Sequence, residues 1–90
     1  MKLTMTAGTA RHLTYPQQDW TDDARGLSIA LFAGHDATVQ LERDGGVYLY
    51  YLGYTTEPFD TVAAAKQAAP AFTREVLAHL ASLIHDKDPS

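Results

Sequence analysis

Between Gly26 and Tyr54 the chain carries three runs of strand-forming residues separated by two glycine-bearing turns, and no other stretch limits the fold so strongly. The first run is Gly-Leu-Ser-Ile-Ala-Leu-Phe-Ala. A turn at Gly34-His35-Asp36 leads into Ala-Thr-Val-Gln-Leu-Glu-Arg, and a second at Asp44-Gly45-Gly46 leads into Val-Tyr-Leu-Tyr-Tyr-Leu-Gly-Tyr. Runs joined this tightly can pair only as an antiparallel meander. The two-residue side-chain period puts Leu27, Ile29 and Leu31 on one face of the first run. In the second, Val39 and Leu41 oppose Thr38, Gln40 and Glu42, the alternation of a sheet with one wet side. The third is apolar on both faces: Val47, Leu49 and Tyr51 on one, Tyr48, Tyr50, Leu52 and Tyr54 on the other.

The second turn decides which face of the third run goes inward. A two-residue loop at Asp44-Gly45 would set Leu41 against Tyr48 and Val39 against Tyr50. A three-residue loop, Arg43-Asp44-Gly45 with Gly45 left-handed, sets Leu41 against Val47 and Val39 against Leu49. The registers differ by one residue, which exchanges the faces. The longer loop is preferred because it gathers aliphatic side chains and spares a tyrosine hydroxyl from burial without a partner.

After a connection ending at Pro58, Asp60 or Thr61 can cap a helix. Val62, Ala65, Ala69, Phe72, Val76, Leu80 and Leu83 step by three and four along one stripe, widened by Leu77 and Ile84. The stripe runs straight through Pro70, so the expectation is one kinked helix, or two collinear ones with the second from about Ala71 to His85. Before the meander, Leu3 and Met5 alternate with Lys2, Thr4 and Thr6, and Ala10–Tyr15 precedes Pro16; each segment is read as an edge strand, with Gly8 interrupting. Gln17–Arg25 reads as a polar loop. The chain is thus expected to be one domain over 1–90: strands and an acidic loop in 1–25, the meander in 26–54, the helix in 60–85 and a tail in 86–90. The fold class is α+β, a small antiparallel meander of three to five strands with a Pro-kinked C-terminal helix on one face. Its expected core is Leu27, Ile29, Leu31, Val39, Leu41, Val47, Leu49, Val62, Phe72, Val76, Leu80 and Ile84.

Ninety residues with 46% apolar and 20% charged content make a small globular domain. The absence of cysteine excludes disulfides, thiolate zinc sites and thiol catalysis, and fits a reducing compartment. No apolar run suits a signal peptide or a membrane span, so the reading is a soluble, cytoplasmic protein. Net charge is −4 and the seven Lys and Arg residues are scattered, against the clustered positive charge that binding to nucleic acid needs.

Chemistry-bearing motifs are few. His12, His35, His79 and His85 show no ligand spacing; Glu75 and His79 share a helix face, but a metal site needs further ligands, and a solvated pair accounts for them. His35-Asp36 lies in a turn without a serine nucleophile. Asp44-Gly45-Gly46 is followed by a strand rather than the helix a phosphate loop requires. No cofactor, metal or catalytic set is expected. Two features remain. Asp19, Trp20, Asp22 and Asp23 form an acidic loop around the only tryptophan, which either anchors a basic partner or folds back to cap the core. Phe32, Tyr48, Tyr50 and Tyr54 would lie beside Thr38 and Gln40 on the sheet face that one helix leaves bare, unless the N-terminal segment crosses it.

In size, charge and layout the chain looks like small phage, plasmid and immunity proteins that inhibit a larger enzyme by binding it; this resemblance carries no site residues. The expected function is a non-enzymatic protein-binding module, an inhibitor or accessory protein of the anti-defence, immunity or antitoxin kind. Its partner would be a larger protein with a basic or aromatic-accepting surface, engaged through Phe32, Tyr48, Tyr50, Tyr54, Asp19, Trp20, Asp22 and Asp23. The alternatives are a homodimeric structural domain and a single-stranded nucleic-acid module stacking bases on the tyrosines.

Overall fold

A computed structural model describes residues 1–6 and 11–87, with Arg11 in its backbone alone. The chain runs α1 (Arg11–Thr14), β1 (Thr21–Asp22), β2 (Ser28–Phe32), β3 (His35–Leu41), β4 (Val47–Tyr51), β5 (Tyr54–Thr55) and α2 (Val62–Ser82). The strands form one antiparallel sheet in sequence order, β1 to β5, and α2 lies on one face across β3 and β4. This is the expected α+β architecture.

The expected N-terminal strands do not form. Residues 1–6 are exposed and form no strand, and Arg11–Thr14 is a single helical turn. The physical reason is that the rim of β2 is already taken: the Gln18 N–H donates to the Leu31 carbonyl at 2.7 Å and the Asp23 N–H to that of Leu27 at 2.9 Å. The polar loop 17–25 therefore supplies the first strand, β1. The interruption expected at Gly8, the segment start at Ala10 and the end of the tail at 88–90 lie outside the described residues.

Turn geometry fixes every face. Between β3 and β4, Leu41 pairs with Val47 and Val39 with Leu49. The Glu42 N–H donates to the Gly46 carbonyl at 2.9 Å, and Gly45 has φ +86°, so the loop is the three-residue one with its glycine left-handed. The turn between β2 and β3 differs from expectation. It is Ala33-Gly34, both at positive φ (51° and 80°), with His35 and Asp36 already in β3. Ala30 consequently pairs with Ala37 and Phe32 with His35. Moving the turn by this much shifts the register and turns β2 over: Ser28, Ala30 and Phe32 face the helix, whereas Leu27, Ile29 and Leu31 are half-buried on the other side. A third tight turn, Leu52-Gly53 at φ 48° and 84°, closes β4 onto β5 and pairs Tyr51 with Tyr54.

The core forms where small residues let the layers approach. Ala65 and Ala69 of α2 are fully buried against Ala30, Ala37, Val39, Leu49 and Tyr51 of the sheet, with Val47, Phe32 and Val76 completing the cluster. Burying side chains of this kind contributes about 1.5–3 kcal/mol for each large aliphatic one. Thr73 is buried as well, its hydroxyl donating to the Ala69 carbonyl at 2.8 Å so that the polar atom is satisfied within the helix. The helix stripe thus reads Ala65, Ala69, Thr73 and Val76, flanked by Phe72, Leu77 and Leu80. Leu41, Val62 and Ile84 were expected in the core and are exposed, Ile84 at 81%, because they lie at or beyond the ends of the overlap between helix and sheet. Thr61 caps α2, accepting the Ala64 N–H at 3.0 Å, and the helix is one element through Pro70.

Candidate functional site: the uncovered sheet face

The sheet face away from α2 is striped by strand. β2 contributes Leu27, Ile29 and Leu31; β3 contributes Asp36, Thr38, Gln40 and, just past its end, Glu42; β4 contributes Tyr48 and Tyr50. Thr38 pairs with both Ile29 and Tyr50, and Gln40 with Tyr48, so a polar stripe runs between an aliphatic and an aromatic one. The molecule is 18 Å through its thinnest direction, room for one helix layer and one sheet layer.

The two tyrosines are fixed by carboxylates. Tyr50 donates its hydroxyl to Glu42 Oε1 at 2.6 Å and Tyr48 to Asp44 Oδ2 at 2.5 Å, both phenols pointing toward the β3–β4 loop. Asp44 Oδ1 also takes the Gly46 N–H at 2.8 Å. The rings lie tilted, 6.5 Å between centroids, and both residues are half-buried. Donation to Glu42, with partial burial, pushes the Tyr50 phenol up to about 12. The same kind of bond raises Tyr48 and holds the Asp44 carboxyl below its usual range.

Among the described residues, two shallow grooves border the face. One, about 320 Å³, lies where α1 and the following residues meet β2, lined by His12, Tyr15, Asp19, Ile29, Leu31 and Asp36 among others. Gln17 fastens this segment: its amide donates to the His12 and Tyr15 carbonyls at 2.7 and 2.9 Å and accepts the Gly34 N–H at 2.9 Å. His12, Tyr15 and Pro16 of this segment thus lie at the Leu31 corner of the face. The second groove, about 430 Å³, runs past Leu27 and Gln40 to Leu41 and Val62 at the start of α2.

Compared with known proteins, the chain matches no family model, no curated protein and no solved structure.

The remaining residues singled out from sequence divide. Phe32 is not on this face: it is 4% exposed and buried under the helix, because the Ala33-Gly34 turn inverts β2. Tyr54 is not there either. Paired with Tyr51 across a two-residue turn, it shares Tyr51's side of the sheet and meets His79 of α2 edge-on at 5.5 Å. Trp20 folds back on the core, 5.8 Å from the Phe32 ring, with the Lys66 ammonium 5.6 Å above it. Asp22 accepts the Ser28 hydroxyl and pairs with Lys66 at 3.5 Å, which together hold its carboxyl below the usual range. Asp23 accepts the Leu27 and Arg25 N–H groups, each at 2.9 Å, closing the turn into β2. Asp19 alone of the acidic loop borders the uncovered face. Sequence reasoning missed Leu27, Ile29 and Leu31 as surface residues. The repeated pattern Phe-Ala-Gly-His and Tyr-Leu-Gly-Tyr, an x-Gly pair between two strand runs, was the signal that could have found them. Among the described residues no three His, Asp or Glu side chains group as metal ligands, and no helix is long and apolar enough to cross a membrane.

Proposed function

We propose that this chain is a non-enzymatic protein-binding module, a small stoichiometric inhibitor or accessory protein of the anti-defence, immunity or antitoxin kind that acts by covering a surface of a larger protein. One observation carries the reading: the face opposite α2 presents two partly buried apolar stripes, Leu27, Ile29 and Leu31 on one side of Thr38 and Gln40, and Tyr48 and Tyr50 on the other. Apolar arrays of several hundred Å² on a small domain mark contact surfaces. Asp19, Asp36, Glu42 and Asp44 border the array and favour a basic partner surface, and the tyrosines supply rigid anchors. The same carboxylates repel phosphates and disfavour the nucleic-acid alternative. The test is capture from the native host. A partner that co-purifies in equal amount with the wild type should be lost with Tyr48→Ala/Tyr50→Ala while the circular dichroism of the variant is unchanged. Retention of that partner by the double variant removes the reading.

Self-association has its own supporting observation. Leu83 and Ile84, at the far end of α2, are 57% and 81% exposed. Light scattering over a hundredfold concentration range separates the two readings, and a constant monomer mass discards the dimer.

A further inference from the structure

Within the face just described, one corner has the chemistry of a specific ligand rather than of general contact. The rings of Tyr48 and Tyr50 sit side by side, each with its phenol donating to a carboxylate. A phenol that donates to an anion pushes electron density back into its ring, and an electron-rich ring face attracts a cation. Glu42 uses only Oε1 for Tyr50; among the described residues its Oε2 receives no hydrogen bond. A free carboxylate oxygen at the hydroxyl end of Tyr50, with the Tyr48 ring 6.5 Å away from that of Tyr50, suits a planar cation that both stacks and donates. A cation held between an aromatic ring and a carboxylate already occurs once within the molecule, where Lys66 lies over Trp20 and pairs with Asp22.

We propose that Tyr48, Tyr50 and Glu42 form a seat for an arginine side chain of the protein partner, the guanidinium stacking on the tyrosine rings and donating to Glu42 Oε2. The inference rests on the protein-binding reading and names the chemistry by which that face chooses its partner. Arginine is favoured over lysine because a flat, weakly hydrated guanidinium both stacks and forks, whereas an ammonium is a compact, strongly hydrated charge. The partner's aliphatic side chains would then meet Leu27 and Ile29 across the polar stripe of Thr38 and Gln40.

The test uses the intact chain, labelled with nitrogen-15, titrated with N-acetyl-arginine methylamide and with its lysine and citrulline counterparts. Amides of residues 38–42 and 48–50 should shift with the arginine compound, at least about fivefold more weakly with lysine, and not with neutral, isosteric citrulline. Glu42→Gln should weaken the arginine response about three- to tenfold, and Tyr48→Leu should remove most of it, each variant retaining a dispersed spectrum. Equal responses to arginine, lysine and citrulline overturn the proposal, as do shifts that map elsewhere or no shift at all. If the arginine compound fails while Tyr48→Ala/Tyr50→Ala still loses the captured partner, the arginine seat falls and the binding face stands. If neither effect is seen, both fall.

Discussion

The hydroxyl of Tyr50 donates to a carboxylate rather than to water, and that single bond has a measurable signature. Its phenol, raised to about 12, loses its proton later in the folded chain than in the unfolded one. The contribution to stability is complete below the ordinary phenol range near pH 10 and disappears as pH rises through 12. Glu42→Gln should bring the Tyr50 transition back toward pH 10, visible as phenolate absorbance near 295 nm; an unmoved transition would show that the bond does not exist in solution. Tyr51 illustrates the opposite use of the same side chain. It is 1% exposed, and its hydroxyl donates to the Phe32 carbonyl at 2.6 Å, which lets a tyrosine serve as core. That partner is a backbone atom nineteen residues away, so alternation alone could place Tyr51 on the inner face but not reveal why it is tolerated there. Next to it, Leu49 is fully buried on the central pairing of β3 and β4. Leu49→Ala should cost about 2–5 kcal/mol in chemical denaturation, enough to unfold a domain of this size at moderate temperature.

At the scale of elements, turns rather than strands carried the uncertainty. The meander, its antiparallel pairing, the three-residue loop at Arg43-Asp44-Gly45 and the capped C-terminal helix were legible because each rests on local chemistry: alternation, a left-handed glycine, a threonine cap. The face of β2 was not. Alternation favours Leu27, Ile29 and Leu31 inward; the two-residue Ala33-Gly34 turn reverses this by shifting the register, and Ala30 and Ala37 then share the buried cluster with Ala65 and Ala69 of the helix. Tyr54 was misplaced by the same arithmetic: residues paired across a two-residue turn lie an odd number apart and yet share a side. Both turns hold a non-glycine residue in the left-handed region, Ala33 and Leu52, at a cost of roughly 1–2 kcal/mol each. Asparagine tolerates that conformation. Ala33→Asn and Leu52→Asn should therefore each raise the thermal midpoint by about 4–8 °C if about 1 kcal/mol is recovered. A fall in midpoint at either position would contradict the turn geometry.

The molecule as a whole is spread thin. Its accessible surface is 6983 Å², against about 5,200 Å² for a compact monomer of its mass. It measures 52 × 31 × 18 Å, with the exposed residues 1–6 and the far end of α2 adding to the excess. Half of the candidate site could be read before the fold was known, Tyr48, Tyr50 and Asp19 in particular, because aromatic and acidic residues announce themselves. The aliphatic half was not read, since it exists only once the Ala33-Gly34 turn has turned β2 over. Along its two rims, moreover, the sheet tapers to strands of two residues each, β1 and β5. A visiting polypeptide finds almost no vacant backbone to zip against there. Under the proposed reading, recognition by this plate would come flat-on, through side-chain chemistry, and the same tapering denies further copies a template for stacking into fibres.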